Sequence, residues 1–273
     1  MSPRKESELW KNPVFFQNPI GYRPDVYSAE DEQGGRVAVK GPFETQEKAS
    51  VSLYVQQLKS EVDGLDLLEY QVNPALADRF PHERRRFSFA LDVVRYFLVS
   101  EDLTAPHKLP VKKHSPTKYF EALQVVDFDV LASRSGYRGS VGPWIWRNQE
   151  LAEKLVKHVL VNWVLGIGGD MAQRNFLVTS DARLYNVDTD SLGNMSFRLG
   201  NCQVCASGKR MGNGFTEFLW NYDLEPLRRD LRMLEWSLLP KESRAEAQRR
   251  SQLSLDELLH VLEPARDASP KRS

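Results

Sequence analysis

The chain has 273 residues, 41 % of them hydrophobic, and its 37 Lys and Arg are matched by 37 Asp and Glu. That apolar content supports a sizeable core and excludes a disordered chain, and the zero net charge excludes a basic nucleic-acid coat. The most apolar stretch, Val159 to Ile167, falls far short of the roughly 20 residues that span a bilayer, so no transmembrane segment is expected.

The first ten residues show no apolar run and no cleavage pattern, and two cysteines cannot make a disulfide framework. A reducing, intracellular and by default cytoplasmic setting is the expectation. Residues 1–12 read as a loose polar terminus. Residues 13–43 read as β-structure: Val14-Phe15-Phe16, a run around Val26-Tyr27-Ser28, a Gly34-Gly35 hairpin signal, then the alternating Arg36-Val37-Ala38-Val39-Lys40. Residues 44–62 read as a helix, with Ala49, Leu53 and Leu58 at helical spacing and Thr45 as a possible cap. Residues 87–99 and 120–130 are strand-like. Residues 148–165 place Leu151, Leu155, Val159 and Trp163 at steps of four, the pattern of a buried helix. A short hairpin follows, Phe176-Leu177-Val178 and Arg183 to Val187. Residues 215–238 and 254–263 read as amphipathic helices. The expected organisation is α+β: a β-rich lobe with one main helix over 13–128, a mostly helical lobe over 129–263, and a disordered tail at 264–273.

The stretch that carries chemistry is Gly166-Ile167-Gly168-Gly169-Asp170-Met171-Ala172-Gln173-Arg174-Asn175, followed after the hairpin by Asn186-Val187-Asp188-Thr189-Asp190. A long helix runs into a glycine loop, an aspartate precedes an asparagine by five positions, and a hairpin ends in a second aspartate. This arrangement resembles the catalytic loop and metal-binding turn of the protein-kinase-like fold. The approach through Leu165-Gly166-Ile167-Gly168 is most similar to the phosphatidylinositol 3-/4-kinase branch. The likeness covers about residues 148–193, with a second match at 36–43. It implies a two-lobed kinase-like fold that binds ATP and Mg²⁺ and transfers phosphate to a hydroxyl acceptor, either a lipid or inositol-type molecule or a protein.

The resemblance also assigns roles. Asp170 is the catalytic residue that orients the attacking hydroxyl and accepts its proton. Asn175 and Asp188 hold the metal through hard oxygen atoms. Lys40, ending Val37-Ala38-Val39-Lys40, neutralises the nucleotide phosphates, and Glu47 or Glu61 holds that lysine. Gln124 to Asp129 forms the hinge to adenine. The chain departs from the pattern in lacking Arg-His after Asp170, in the extra Gly169, and in reading Asp188-Thr189-Asp190 where the family has D-F-G. A pseudokinase that binds partners without turnover is the alternative, and a non-kinase α+β binding protein is a third reading.

Other features point elsewhere. Cys202 and Cys205 lack the second pair that a zinc site needs and read as loop cysteines. His158 reads as a packed residue of the long helix. The basic runs His82 to Arg86 and Lys108 to Lys118, with Arg198, Lys209 and Arg210, read as solvated loops or as transient contacts for anionic surfaces. No nucleic-acid partner is expected.

Overall fold

The computed structural model describes residues 11–15, 26–30, 36–76, 94–101, 103, 124–125, 145–146, 148–167, 175–179, 183–187, 189, 191–199 and 214–262. The chain divides into two compact units. One comprises Met1–Gln57 with Leu67–Pro116, and the other Leu58–Asp66 with Thr117–Ser273. The sequence pattern puts the division at 128/129 and leaves Leu58–Asp66 in the first lobe. In the structure that segment groups with the second unit.

The first unit is built on a five-stranded antiparallel sheet in the order β1-β2-β3-β5-β4. Its strands are β1 (Lys11–Phe15), β2 (Val26–Glu30), β3 (Arg36–Phe43), β4 (Tyr70–Leu76) and β5 (Val94–Glu101). β1 takes in Lys11 and Asn12, which the sequence pattern leaves to the terminus. In β3, Val37 and Val39 are buried while Ala38 and Lys40 are half-buried, the period of two that gives a strand two unlike faces. The register against β5 shifts between Lys40 and Phe43. Gly41 makes the shift possible: its φ is +143°, and a Cβ there would lie 2.9 Å from Phe97 Cδ1 and 3.1 Å from the Tyr96 carbonyl oxygen. β4 has no counterpart in the expected elements; it carries Asn73-Pro74, a pair that favours turns in an isolated sequence. Proline has no amide to donate, and the edge of the sheet tolerates it.

Helix α1 (Gln46–Ser60) follows β3. Thr45 begins it as expected, its hydroxyl accepting from the Lys48 amide at 3.2 Å. Ala49, Ser52, Val55 and Lys59 are buried at steps of three and four. Within the first unit, Gln56 Oε1 accepts from the Tyr70 amide and ties the helix to β4.

The second unit centres on α2 (Gln149–Leu165). Asn148 caps its start by accepting from the Leu151 amide at 3.1 Å, and Gly166 ends it in the left-handed region at φ 63°. Leu151, Leu155, Val159 and Trp163 are buried as expected, and each such side chain contributes about 1.5–3 kcal/mol when fully removed from water. A three-stranded sheet, β6 (Gln124–Val125), β7 (Phe176–Val178) and β8 (Leu184–Asn186), pairs β6 parallel to β7 and β7 antiparallel to β8. The helices α3 (Gly214–Trp220), α4 (Glu225–Met233), α5 (Lys241–Ser251) and α6 (Leu255–Leu262) follow. The continuous pattern at 215–238 breaks into α3, α4 and a 3₁₀ turn at Trp236–Leu238. Pro226 starts α4, and Asp223 accepts from the Glu225 amide at 3.0 Å. No helix among the described residues is long and apolar enough to cross a membrane.

α5 fastens the end of α2. Arg250 is buried, and its guanidinium donates to the carbonyls of Trp163 at 2.7 Å and Met195 at 2.6 Å, and to Glu246 at 2.9 Å. It also lies 4.9 Å from the Trp163 ring centroid. The Gly193 amide donates to Leu165 and the Asn194 amide to Gly166, so the stretch after the hairpin is laced to the helix end. A Cβ on Gly166 would sit 2.7 Å from the Asn194 nitrogen, so this close approach requires glycine.

Candidate functional site

The polar residues of α2 fall on one line. Glu150, Lys154, His158 and Asn162 recur every fourth position, one residue ahead of the apolar series. This spacing stacks side chains about one turn apart on a single helix face. Lys154 bridges Glu150 at 2.9 Å and Asp66 at 3.0 Å. Asp66 Oδ2 in turn accepts the Leu184 amide at 2.9 Å, and His158 Nε2 lies 3.0 Å from the Leu184 carbonyl oxygen. One strand step of two residues later, Asn162 Nδ2 donates to Asn186 Oδ1 at 2.8 Å. Helix positions four apart rise about 6 Å and strand positions two apart about 6.8 Å, so the His158–Asn162 pair meets the Leu184–Asn186 pair.

The seam ends in a half-buried amide with four hydrogen bonds. Lys59, at the end of α1 and 2 % exposed, donates its amine to Asn186 Oδ1 at 2.7 Å. Asn186 Nδ2 donates to the carbonyls of Asn175 at 3.1 Å and Val187 at 3.2 Å. The Asn175 carbonyl also accepts the Val187 amide at 2.8 Å. The hairpin therefore returns the chain so that Asn175, 6 % exposed, is bonded to the residue preceding Asp188. Burial pushes the Lys59 amine down to about 7. Burial, reinforced by the charge on Lys59, holds the fully buried His158 imidazole well below its usual value, so it is neutral. His158 Nδ1 and Asn162 Oδ1 have no hydrogen-bond partner among the described residues.

Of the residues that the sequence pattern nominates, Lys40 and Glu47 lie in the first unit. Lys40 is half-buried beside the Gly41 irregularity, and Glu47 is exposed in the first turn of α1. Glu61 and Asn175 lie in the second unit. Glu61 sits just past α1, where its carboxylate accepts from the Glu235 amide at 3.0 Å. Asp170, Asp188, Cys202 and Cys205 lie outside the described residues, as do Val126 to Asp129 of the expected hinge. Gln124 and Val125 form β6 beside β7. His158 is packed as expected. Lys59, Asn162 and Asn186 are absent from the sequence-based set. Among the described residues, no group of three or more His, Cys, Asp or Glu could hold a metal ion.

No family model matches the chain, and no curated protein matches it in sequence. Among solved structures, an aminoglycoside phosphotransferase from Alicyclobacillus acidocaldarius aligns over 93 % of this chain and 93 % of its own, at 9 % identity and a TM-score of 0.29. An overlap of that degree assigns neither fold nor activity.

Proposed function

We propose that the chain is an ATP- and Mg²⁺-dependent phosphotransferase acting on a hydroxyl acceptor. The observation that carries the reading is the closure at the base of the β7–β8 hairpin, where the Val187 amide donates to the Asn175 carbonyl. It supports convergence of the two proposed metal ligands, because Asp188 is the next residue in the chain. Asn175 offers an amide oxygen and Asp188 a carboxylate. These are the hard donors that Mg²⁺ takes from a protein when substrate phosphates complete its shell. Bound Mg²⁺ would neutralise charge on the nucleotide phosphates. Asp170 orients the acceptor hydroxyl and takes its proton. Lys40 neutralises the α- and β-phosphates. Glu47 is the acid proposed to hold it, since it belongs to the same unit while the Glu61 carboxylate engages Glu235. The glycine approach to Asp170 resembles the phosphatidylinositol 3-/4-kinase branch, which makes phosphoinositides, inositol phosphates and protein hydroxyls the acceptors to assay.

The test is Mg²⁺-dependent ADP release with those acceptors, beside ATP binding by thermal shift. Asp170→Asn is expected to keep ATP affinity within a few-fold and to lower release by about 10²-fold or more, the scale of a positioned acid–base group. Protein that neither binds ATP·Mg²⁺ at millimolar concentration nor releases ADP overturns the reading. Protein that binds nucleotide but releases no ADP with any acceptor is a pseudokinase.

A further inference from the structure

The Asn186 amide is saturated: its oxygen accepts from Lys59 and Asn162, and its nitrogen donates to the carbonyls of Asn175 and Val187. The two asparagines alone do not fix this arrangement. Each side-chain amide carries both a donor and an acceptor, so Asn162 and Asn186 could exchange roles by turning over together. Asn162 Oδ1, buried and without a partner among the described residues, stands ready to accept in the exchanged arrangement. The exchange would turn the Asn186 oxygen toward the carbonyl oxygens of Asn175 and Val187, which only accept. Below about pH 7 the Lys59 amine is an ammonium, which only donates. Lys59 therefore admits the Asn186 oxygen and not its nitrogen, and reinforces from the other end the orientation that the two carbonyls favour.

Placing a lysine here is costly. Its amine is fully buried, and among the described residues its hydrogen-bond partner is a neutral amide oxygen rather than a carboxylate. A methionine of similar length would fill the same space without that cost. Core packing thus does not explain the residue, whereas orientation of the amide does.

We propose that Lys59 is a positioning residue of the phosphotransferase site, orienting Asn186 so that Asn175 and Val187, the residue before Asp188 in the chain, are held together at the hairpin base. This inference rests on the reading of function given above. It acts through the metal ligands, so its signature is the Mg²⁺ requirement and not the fold.

The experiment compares the full chain with Lys59→Met at about pH 6, where the amine holds its proton. It reads amide hydrogen exchange along 175–187 and the Mg²⁺ concentration needed for half-maximal ATP binding at fixed ATP. Exchange at the Val187 amide is expected to quicken by about ten-fold or more while amides within α2 and α4 keep their protection. The Mg²⁺ requirement is expected to rise by about ten-fold. Unchanged exchange at Val187 overturns the proposal. Faster exchange with an unchanged Mg²⁺ requirement also overturns it and makes Lys59 structural only. Should Lys59→Met fail to fold, Asn186→Asp decides by the same two readouts. It keeps an acceptor for Lys59 and removes the donor to Asn175 and Val187, so both values should move as above, and constancy of either one overturns the proposal. Wild-type protein that ignores ATP·Mg²⁺ overturns the phosphotransferase reading and with it the catalytic part of the role. The exchange result then upholds or overturns the bracing of the hairpin by itself.

Discussion

Lys40 and Lys59 show how differently one residue type is used in the two units. Lys40 sits on a strand with alternating faces: Val37 and Val39 take the buried side, and Lys40 takes the half-buried one. Lys59 sits at the end of a helix with its amine wholly inside, and burial lowers its proton affinity to about 7. The first lysine keeps part of its length at the surface. The second spends its donors inside, on an amide that braces the hairpin. A half-buried lysine within a strand is therefore a candidate for ligand contact, and a lysine in a core is a candidate for holding other residues in place.

The contrast breaks most readily at Asn186. Replacing it with leucine strands the Lys59 amine and the Asn162 amide donor and removes a donor from two carbonyls. Buried groups left without partners cost about 1–3 kcal/mol each, so Asn186→Leu is expected to lower stability by about 3 kcal/mol or more in urea titration. A loss below about 1 kcal/mol would mean that the seam is wet or loosely held and that Lys59 differs little from Lys40.

The parts of this contrast that were legible in the sequence are those set by local spacing. Apolar steps of four located α2, alternation located β3, and Thr45 marked the start of α1. The hairpin followed from its turn signal, whereas the pairing of Asn175 with Val187 was not read from the sequence. β4 was hidden because Pro74 is a turn signal in an isolated sequence and becomes acceptable only at a sheet edge. α5 was hidden because its only apolar side chain in the buried set is Ala247; its other buried residues are Ser243, Arg250 and Ser251. Lys59 and Asn186 were hidden for a different reason. Their meaning lies in a contact across 127 positions of sequence, which no window on either one contains. The line of Glu150, Lys154, His158 and Asn162 was visible in principle, since four polar residues on one face of an apolar helix must face either water or partners.

Titration sharpens the comparison, because burial sets the pH at which the Lys59 amine gives up its proton. The folded Lys59 amine loses its proton near 7, while an unfolded lysine keeps it to about 10.4. Between these values the unfolded chain binds the extra proton, so this group makes stability rise with pH, with a slope of at most about 1.4 kcal/mol per unit. Below pH 7 both states are protonated and the group adds no slope. His158 acts in the same direction lower down: neutral when folded, it loses stability for the protein as pH falls through its unfolded value of about 6.5. Burial raises the Tyr222 hydroxyl, so above about pH 10 the unfolded chain ionises first and stability falls again. Urea titrations at pH 7, 8 and 9 should show stability rising in the wild type and a flatter profile in Lys59→Met. Parallel profiles would mean that the Lys59 amine is not desolvated.

The smallest effect on stability is expected at Lys40, where the contrast is sharpest in function. Lys40→Met keeps an apolar stem of similar length and removes only the charged head. Stability should change by no more than about 1 kcal/mol, the scale of a polar contact at a part-exposed position. ATP affinity should nevertheless fall, because the positive charge proposed to meet the α- and β-phosphates is gone and methionine offers no donor to replace it. The measurement pairs urea titration with the ATP·Mg²⁺-induced shift in melting temperature, so that one variant is read on both axes. A variant that unfolds assigns Lys40 to the framework of the sheet. One that keeps both its stability and the full nucleotide shift removes it from the phosphate site. Reduced nucleotide response on an intact fold leaves Lys40 as the outward lysine and Lys59 as the inward one.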